Sequence, residues 1–370
     1  MTRSGGRRIL GRTFGVSAFC LLPFAFSAFC LLCPLPFALT PAAALATLEV
    51  PRRGLTGGEL VASAYDVALN ADFDRMPEVL ATTCGPAPRV ACLGLKALST
   101  WWEILLDPQS RSLDSRFLRE VDEAISEAQA WTAREPERAE AWFYFGAALG
   151  ARGQWRVLRE ERLAAARDGK RIKAALEHAL ALDPGMHDAS FGIGAYRYYA
   201  DIAPAYLRWL RWLFLLPGGN RAAGLAQMEE ASRSGVLVRA EAQYQLHFVY
   251  LWYEQRFMDA LAMVRGLHAR YPRNPLFHQI EAEILDVYVH DFAASLASSE
   301  ALLAEAERGA VNRPELARVR ATLNVAVQLD HLGQRDRARA TLDALLAPSP
   351  AAPIDAIARA RQLLRAWSVR

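Results

Sequence analysis

Seven histidines, at positions 178, 187, 247, 268, 278, 290 and 331, are the first residues to weigh for metal or acid–base chemistry. Imidazoles that share an ion from one helix face stand three or four residues apart, as in His-Glu-x-x-His. No two of these do. His290-Asp291 offers a metal corner, but a helix-terminal histidine beside a capping aspartate explains the pair without an ion. The chain has no Gly-x-Ser-x-Gly elbow, no P-loop and no dinucleotide fingerprint. Leu216-Pro217-Gly218-Gly219-Asn220 precedes a helix whose free amides favour an anion. A turn closed by Asn220 as N-cap accounts for that stretch with no ligand. The expectation is therefore a protein without catalytic, cofactor-binding or metal residues, and not an enzyme.

A second chemistry is available at a surface. Ala203 to Leu216 contains Arg208-Trp209-Leu210-Arg211-Trp212, aromatic bodies alternating with cations. Such a helix suits a membrane interface, with rings among headgroups and guanidinium groups toward phosphate. The basic stretch 152–173, carrying Arg152, Arg156, Arg159, Arg162, Arg167, Lys170, Arg171 and Lys173, would add attraction to anionic lipid. Packing of the same helix against its neighbours is the plainer expectation, and peripheral membrane docking the alternative.

Of five cysteines, Cys20, Cys30 and Cys33 lie near the amino terminus, and Cys84 and Cys92 bracket Gly-Pro-Ala-Pro-Arg-Val-Ala. An isolated pair across a proline-rich turn suits a disulfide in an oxidising compartment. Closing so short a loop stabilises by roughly 2–3 kcal/mol in the chain-entropy model. Two buried free thiols are the other reading; Cys-x-x-Cys redox chemistry is excluded by the spacing.

The amino terminus agrees with export. Arg7, Arg8 and Arg12 precede an uncharged run from Thr13 to Leu48, and Ala44-Leu45-Ala46 offers a small-x-small cleavage site. Residues 1–46 are expected to be a signal peptide, leaving a soluble protein of the bacterial periplasm. The alternative is an inner-membrane anchor over residues 14–32, although Pro23, Pro34, Pro36 and Pro41 interrupt a helix there. Without residues 1–46 the chain holds 39 basic and 40 acidic groups. That balance lacks the basic surplus needed to neutralise phosphates, so nucleic acid is not an expected partner.

The elements behind these residues read as helix from Thr56 onward. Leu60, Val61, Ala64, Tyr65, Ala68 and Leu69 share one helical face, as do Phe117, Val121, Ile125, Ala128 and Trp131. Ser112-Leu113-Asp114 reads as a cap for the second of these. Pro108, Pro136, Pro184 and Pro272 punctuate the helices, and no segment alternates with a strand period.

The stretch Ala139 to Pro184 opens with Trp142, Phe145, Gly146 and Leu149 and closes with Leu176, Ala179 and Pro184. It resembles a tetratricopeptide repeat, a helix hairpin whose Gly lets the second helix approach the first and whose Pro ends it. The stretch between Leu149 and Ile172 is much longer than in the standard motif. Further starts fall near 187, 240, 275 and 315, the unit at 187 also being expanded. The mature chain is also similar to a group of exported bacterial tetratricopeptide proteins without an assigned activity. That similarity rests on Trp101-Trp102, Leu106-Asp107-Pro108, Glu140 to Ala148, Ala166-Arg167-Asp168-Gly169-Lys170 and Leu216 to Asn220.

The resemblance implies an all-α, right-handed solenoid. Residues 57–136 would form degenerate upstream repeats, 137–347 the repeats proper and 353–370 a C-terminal capping helix. First helices of such repeats face a groove, which here would present Tyr144, Tyr196, Tyr198, Tyr199, Tyr244, His247 and Tyr250 to a protein or peptide partner. The expected function is that of an exported, non-enzymatic scaffold.

Overall fold

The computed structural model describes residues 54–202, 218–346 and 353–368. Over these residues the chain is all-helical, with no strand. The first group is α1 (Gly58–Leu69), α2 (Met76–Thr83), α3 (Arg89–Leu106) and α4 (Asp114–Arg134). Two long pairs follow: α5 (Ala139–Leu158) with α6 (Arg162–Leu182), and α7 (His187–Ile202) with α8 (Arg221–Ser234). Then come α9 (Arg239–Val249), α10 (Phe257–Arg270), α11 (Pro275–Ile284), α12 (Phe292–Glu307), α13 (Pro314–His331), α14 (Arg335–Leu345) and α15 (Ile354–Ser368). Successive helices among the described residues pack on one another along the chain, and α7 packs closely against α8. No helix among the described residues is long and apolar enough to cross a membrane.

Small residues set the closest approaches. A Cβ on Gly146 would lie 2.6 Å from Leu176, and one on Gly192 2.4 Å from the same side chain. Leu176 of α6 therefore plugs a slot between α5 and α7. Gly194 and Gly224 bring backbone against backbone, since a Cβ on Gly224 would meet the Gly194 carbonyl at 2.6 Å and the Tyr198 amide at 2.6 Å. Side chains reinforce the long α5–α6 pair. Buried Asp168 accepts from Arg152 (2.8 and 3.0 Å) and Arg156 (2.6 Å).

One local expectation changes. No side chain caps α4; its N-cap position is Leu113, not Ser112. Asp114 is spoken for by tertiary partners, accepting from Trp155 Nε1 (3.1 Å) and Arg159 (2.7 Å). Asn220 does cap α8, accepting from the Ala223 amide at 2.9 Å.

The first three helices also reach far downstream. Trp102 of α3, fully buried, packs edge-on against Tyr244 (5.0 Å) and Phe277 (5.7 Å). The Leu69 carbonyl accepts from Asn274 at 2.7 Å, and Asn312 donates to the Asn70 carbonyl (2.9 Å) and Asp72 (2.8 Å). Asp66 takes Tyr271 Oη at 2.6 Å, and Arg313 reaches Asp74 and Glu103. Among these contacts, those to the Leu69 carbonyl and to buried Asp72 give desolvated polar groups the partners they need. The sulfurs of Cys84 and Cys92 stand at disulfide distance, with Cα atoms 5.8 Å apart.

Candidate functional site

Two helices end unusually. After α9 the chain widens into a π turn, Tyr250–Glu254, and after α11 into a second, Leu285–Val289. Each turn stops at a left-handed residue, Gln255 (φ 54°) and His290 (φ 59°). Each is closed by an amide six residues on, from Arg256 to the Tyr250 carbonyl and from Asp291 to the Leu285 carbonyl (2.9 Å each). One extra residue per turn re-aims the side chains that follow. Trp252 and Tyr288, one from each turn, are brought together so that the indole N–H donates to the phenol oxygen at 2.8 Å.

These two rings form part of the wall of a cavity of about 150 Å³, room for a benzene-sized group. Tyr244, His247 and Phe248 of α9 supply more of the wall, with Phe248 4.8 Å from Trp252 and 3.8 Å from His247 by ring centroid. Leu276, Gln279, Ile280 and Glu283 come from α11 at helical spacing, Leu105 and Leu106 from the end of α3, Pro108 from the turn after it, and Leu158 from α5. Arg320 of α13, Leu251 and Ile284 also line it.

The electrostatics are unbalanced. Among the described residues the Glu283 carboxylate makes no hydrogen bond or ion pair, and the Gln279 amide makes no hydrogen bond. Arg320 is the nearby cation, but it is divided between Asp107 and Asp355 (3.2 Å each). Burial pushes the Glu283 carboxyl above its ordinary value, Asp286 pushes it further, and Arg320 pulls it back. His247 contributes no charge. Burial drives its pKa down to about 3, against the opposing hydrogen bond to the Tyr244 carbonyl. Nδ1–H donates to that carbonyl, which leaves Nε2 as the acceptor. The cavity thus joins π faces to one unpaired carboxylate, the combination that attracts a cation.

The seven aromatic and histidine residues expected to face a partner all make contacts within the chain. Tyr144, Tyr198, Tyr244, His247 and Tyr250 are buried, and Tyr196 and Tyr199 half-buried. Tyr144 stacks on Trp131 at 6.3 Å. Tyr198 donates to Glu254 at 2.5 Å, and Tyr250 donates to Glu229 at 2.6 Å beneath the Arg256 guanidinium. Tyr199 meets Tyr198 and Tyr253 edge-on, and Lys173 lies over Tyr196. Only Tyr244 and His247 of the seven line this cavity. Phe248, Trp252, Glu283 and Tyr288 were not anticipated, because a π turn and an unpaired glutamate leave no mark in apolar periodicity.

Arg208, Trp209, Arg211 and Trp212 lie outside the described residues. Of the basic stretch 152–173, Arg152, Arg156 and Arg159 are engaged by Asp122, Asp168 and Asp114. Asp291 caps α12 through the Ala294 amide at 2.9 Å, and His290 ends the preceding π turn.

A different cavity, of about 170 Å³, lies where α3, α5 and α7 meet, walled by Gly94, Gly146, Ala147, Gly150 and Ala151. At its polar side Glu241 accepts from Tyr65, Gln154 and Gln245. Those donors already satisfy the carboxyl, whereas Glu283 is left wanting. No protein-family model matches the chain, and no curated protein matches it.

Proposed function

We propose that this protein is an exported, non-enzymatic scaffold of tetratricopeptide-like helical repeats that binds a protein or peptide partner through a cationic side chain. The observation that carries the reading is Glu283, a carboxylate with no hydrogen-bond or ion-pair partner among the described residues, set in a cavity with Tyr244, Phe248, Trp252 and Tyr288. A lysine or arginine entering there gains ring faces along its stem and head and an ion pair at the end. Gln279 supplies a further hydrogen-bonding group. Trp252 keeps 37% of its surface exposed, so the site has an accessible edge. Aromatic residues around a desolvated charge are where interfaces concentrate their energy.

The helix pairs at 139–182 and 187–234, the close Gly146–Leu176 approach and the run of further helices support a repeat scaffold. Export is supported by the amino-terminal pattern of the sequence and by the Cys84–Cys92 pair.

The test is calorimetric. Acetylated and amidated pentapeptides bearing a central arginine or lysine are titrated into the protein, beside the same peptides bearing glutamine. Saturable binding of the cationic peptides alone is expected, weakened about tenfold or more by Glu283→Gln and by Trp252→Ala. Equal behaviour of cationic and glutamine peptides would sink the reading.

A further inference from the structure

His268 near the end of α10, His278 on α11 and Glu305 on α12 come from three successive helices and meet at one point. One donor atom from each lies within 4.8 Å of the other two. His278 Nδ1 is 3.1 Å from Glu305 Oε2, and the two imidazoles face each other at 4.2 Å between centroids. His278 is buried, while His268 and Glu305 are half-buried. Behind His268 stands Glu281, whose Oε2 is 3.4 Å from His268 Nδ1 and whose Oε1 accepts from Arg265 at 2.7 Å.

We propose that His268, His278 and Glu305 form a binding site for a divalent late transition-metal ion, zinc being the best fit. Two imidazoles and a carboxylate are the donor set zinc takes when three protein ligands leave a fourth position open. Bonds of about 2.0–2.2 Å in a tetrahedron set donors about 3.3–3.6 Å apart. The His278–Glu305 separation is already near that spacing, and His268 has only to close in. With His268 binding through Nε2, Glu281 at its Nδ1 supplies what ligand histidines require, a carboxylate on the other ring nitrogen that fixes tautomer and orientation. The donors are neutral or acidic and borderline in softness, which favours zinc, copper or nickel over magnesium or calcium. On α11 the cavity residues Leu276, Gln279, Ile280 and Glu283 occupy one face, and His278 and Glu281 fall on another. The ion would therefore join α10, α11 and α12 without entering the cavity, and the inference is independent of the proposed function.

The full chain is freed of metal with EDTA and titrated with Zn²⁺ by calorimetry, with Co²⁺ as a spectroscopic probe. One ion per chain is expected, with the visible bands of a four-coordinate cobalt site. Glu305→Gln should weaken Zn²⁺ at least tenfold and His268→Gln/Glu305→Gln at least a hundredfold, the metal-free melting curves staying those of the wild type. Glu281→Gln, which leaves all three donors in place, should cost about tenfold by releasing His268. Absence of stoichiometric binding, or the same affinity in the double variant, overturns the assignment.

Discussion

Glu283 and His247 line the same cavity and answer burial in opposite ways. The acid is pushed up toward its protonated form, and the base is pushed down to about 3. In both cases the charged form is what burial disfavours. His247 gives the cleaner pH prediction. A native state that refuses a proton the unfolded chain accepts is fully stabilised above the ordinary histidine value of about 6.5. That stability is lost as pH falls from there toward about 3. His247→Gln should flatten this limb of a urea-melt series between pH 7 and pH 4, and an unchanged slope would contradict it. For Glu283 the sign reverses. The native state holds that proton more tightly than the unfolded chain, so stability declines as pH climbs above about 4.3. Glu283→Gln should therefore gain on the wild type between pH 4 and pH 8. A margin that stays constant across that range would mean the carboxyl is not disfavoured by its site.

Helices carry a different kind of information. Gly146 and Pro184 could be read directly, because close packing and chain termination leave residue-type signatures, and α5 and α6 stand where those residues put them. The π turns could not. Tyr250–Glu254 and Leu285–Val289 continue the apolar pattern of α9 and α11, and only the left-handed Gln255 and His290, neither of them glycine, mark where the helix widened. Tyrosine was equally opaque. An amphipathic ring suits a groove or a core, and Tyr198 and Tyr250 are buried because Glu254 and Glu229 accept their hydroxyls. The ligands His268, His278 and Glu305 sit on three helices, so no local spacing joins them. Helix contacts also separate glycines that matter from glycines that do not. Gly224→Ala drives a methyl into backbone of α7 and should cost about 1–3 kcal/mol. Gly150→Ala, with nothing within 4 Å, should stabilise by about 0.5–1 kcal/mol through helix propensity. Urea titration of the two variants checks the pair, and a similar effect in both would refute the close α7–α8 contact.

At the scale of the molecule, the α1–α3 segment determines what the cavity is. Leu105, Leu106 and Pro108 form part of its lining, and Trp102 braces Tyr244 from behind. The ties from Asp66, Asn70 and Asp72 to Tyr271 and Asn312 hold that segment against helices some 200 residues downstream. Their sequence separation is why composition and repeat pattern did not forecast them. The Cys84–Cys92 link lies between α2 and α3. Reduction should lower stability by roughly 2–3 kcal/mol. Cys84→Ser/Cys92→Ser should remove the response to reductant, and an unaltered response would show that the thiols are not joined.

The central claim is that an aromatic cavity with an unpaired carboxylate holds a cationic partner. It is tested most directly by photo-crosslinking in the producing cell, with a benzophenone side chain, which keeps an aromatic ring at the site, in place of Trp252 and the same probe in place of Met258, which is 62% exposed, as control. A discrete protein adduct from position 252 is predicted, absent from position 258 and lost when Glu283→Gln is added. No adduct at 252, or one that persists without the carboxylate, would contradict the account.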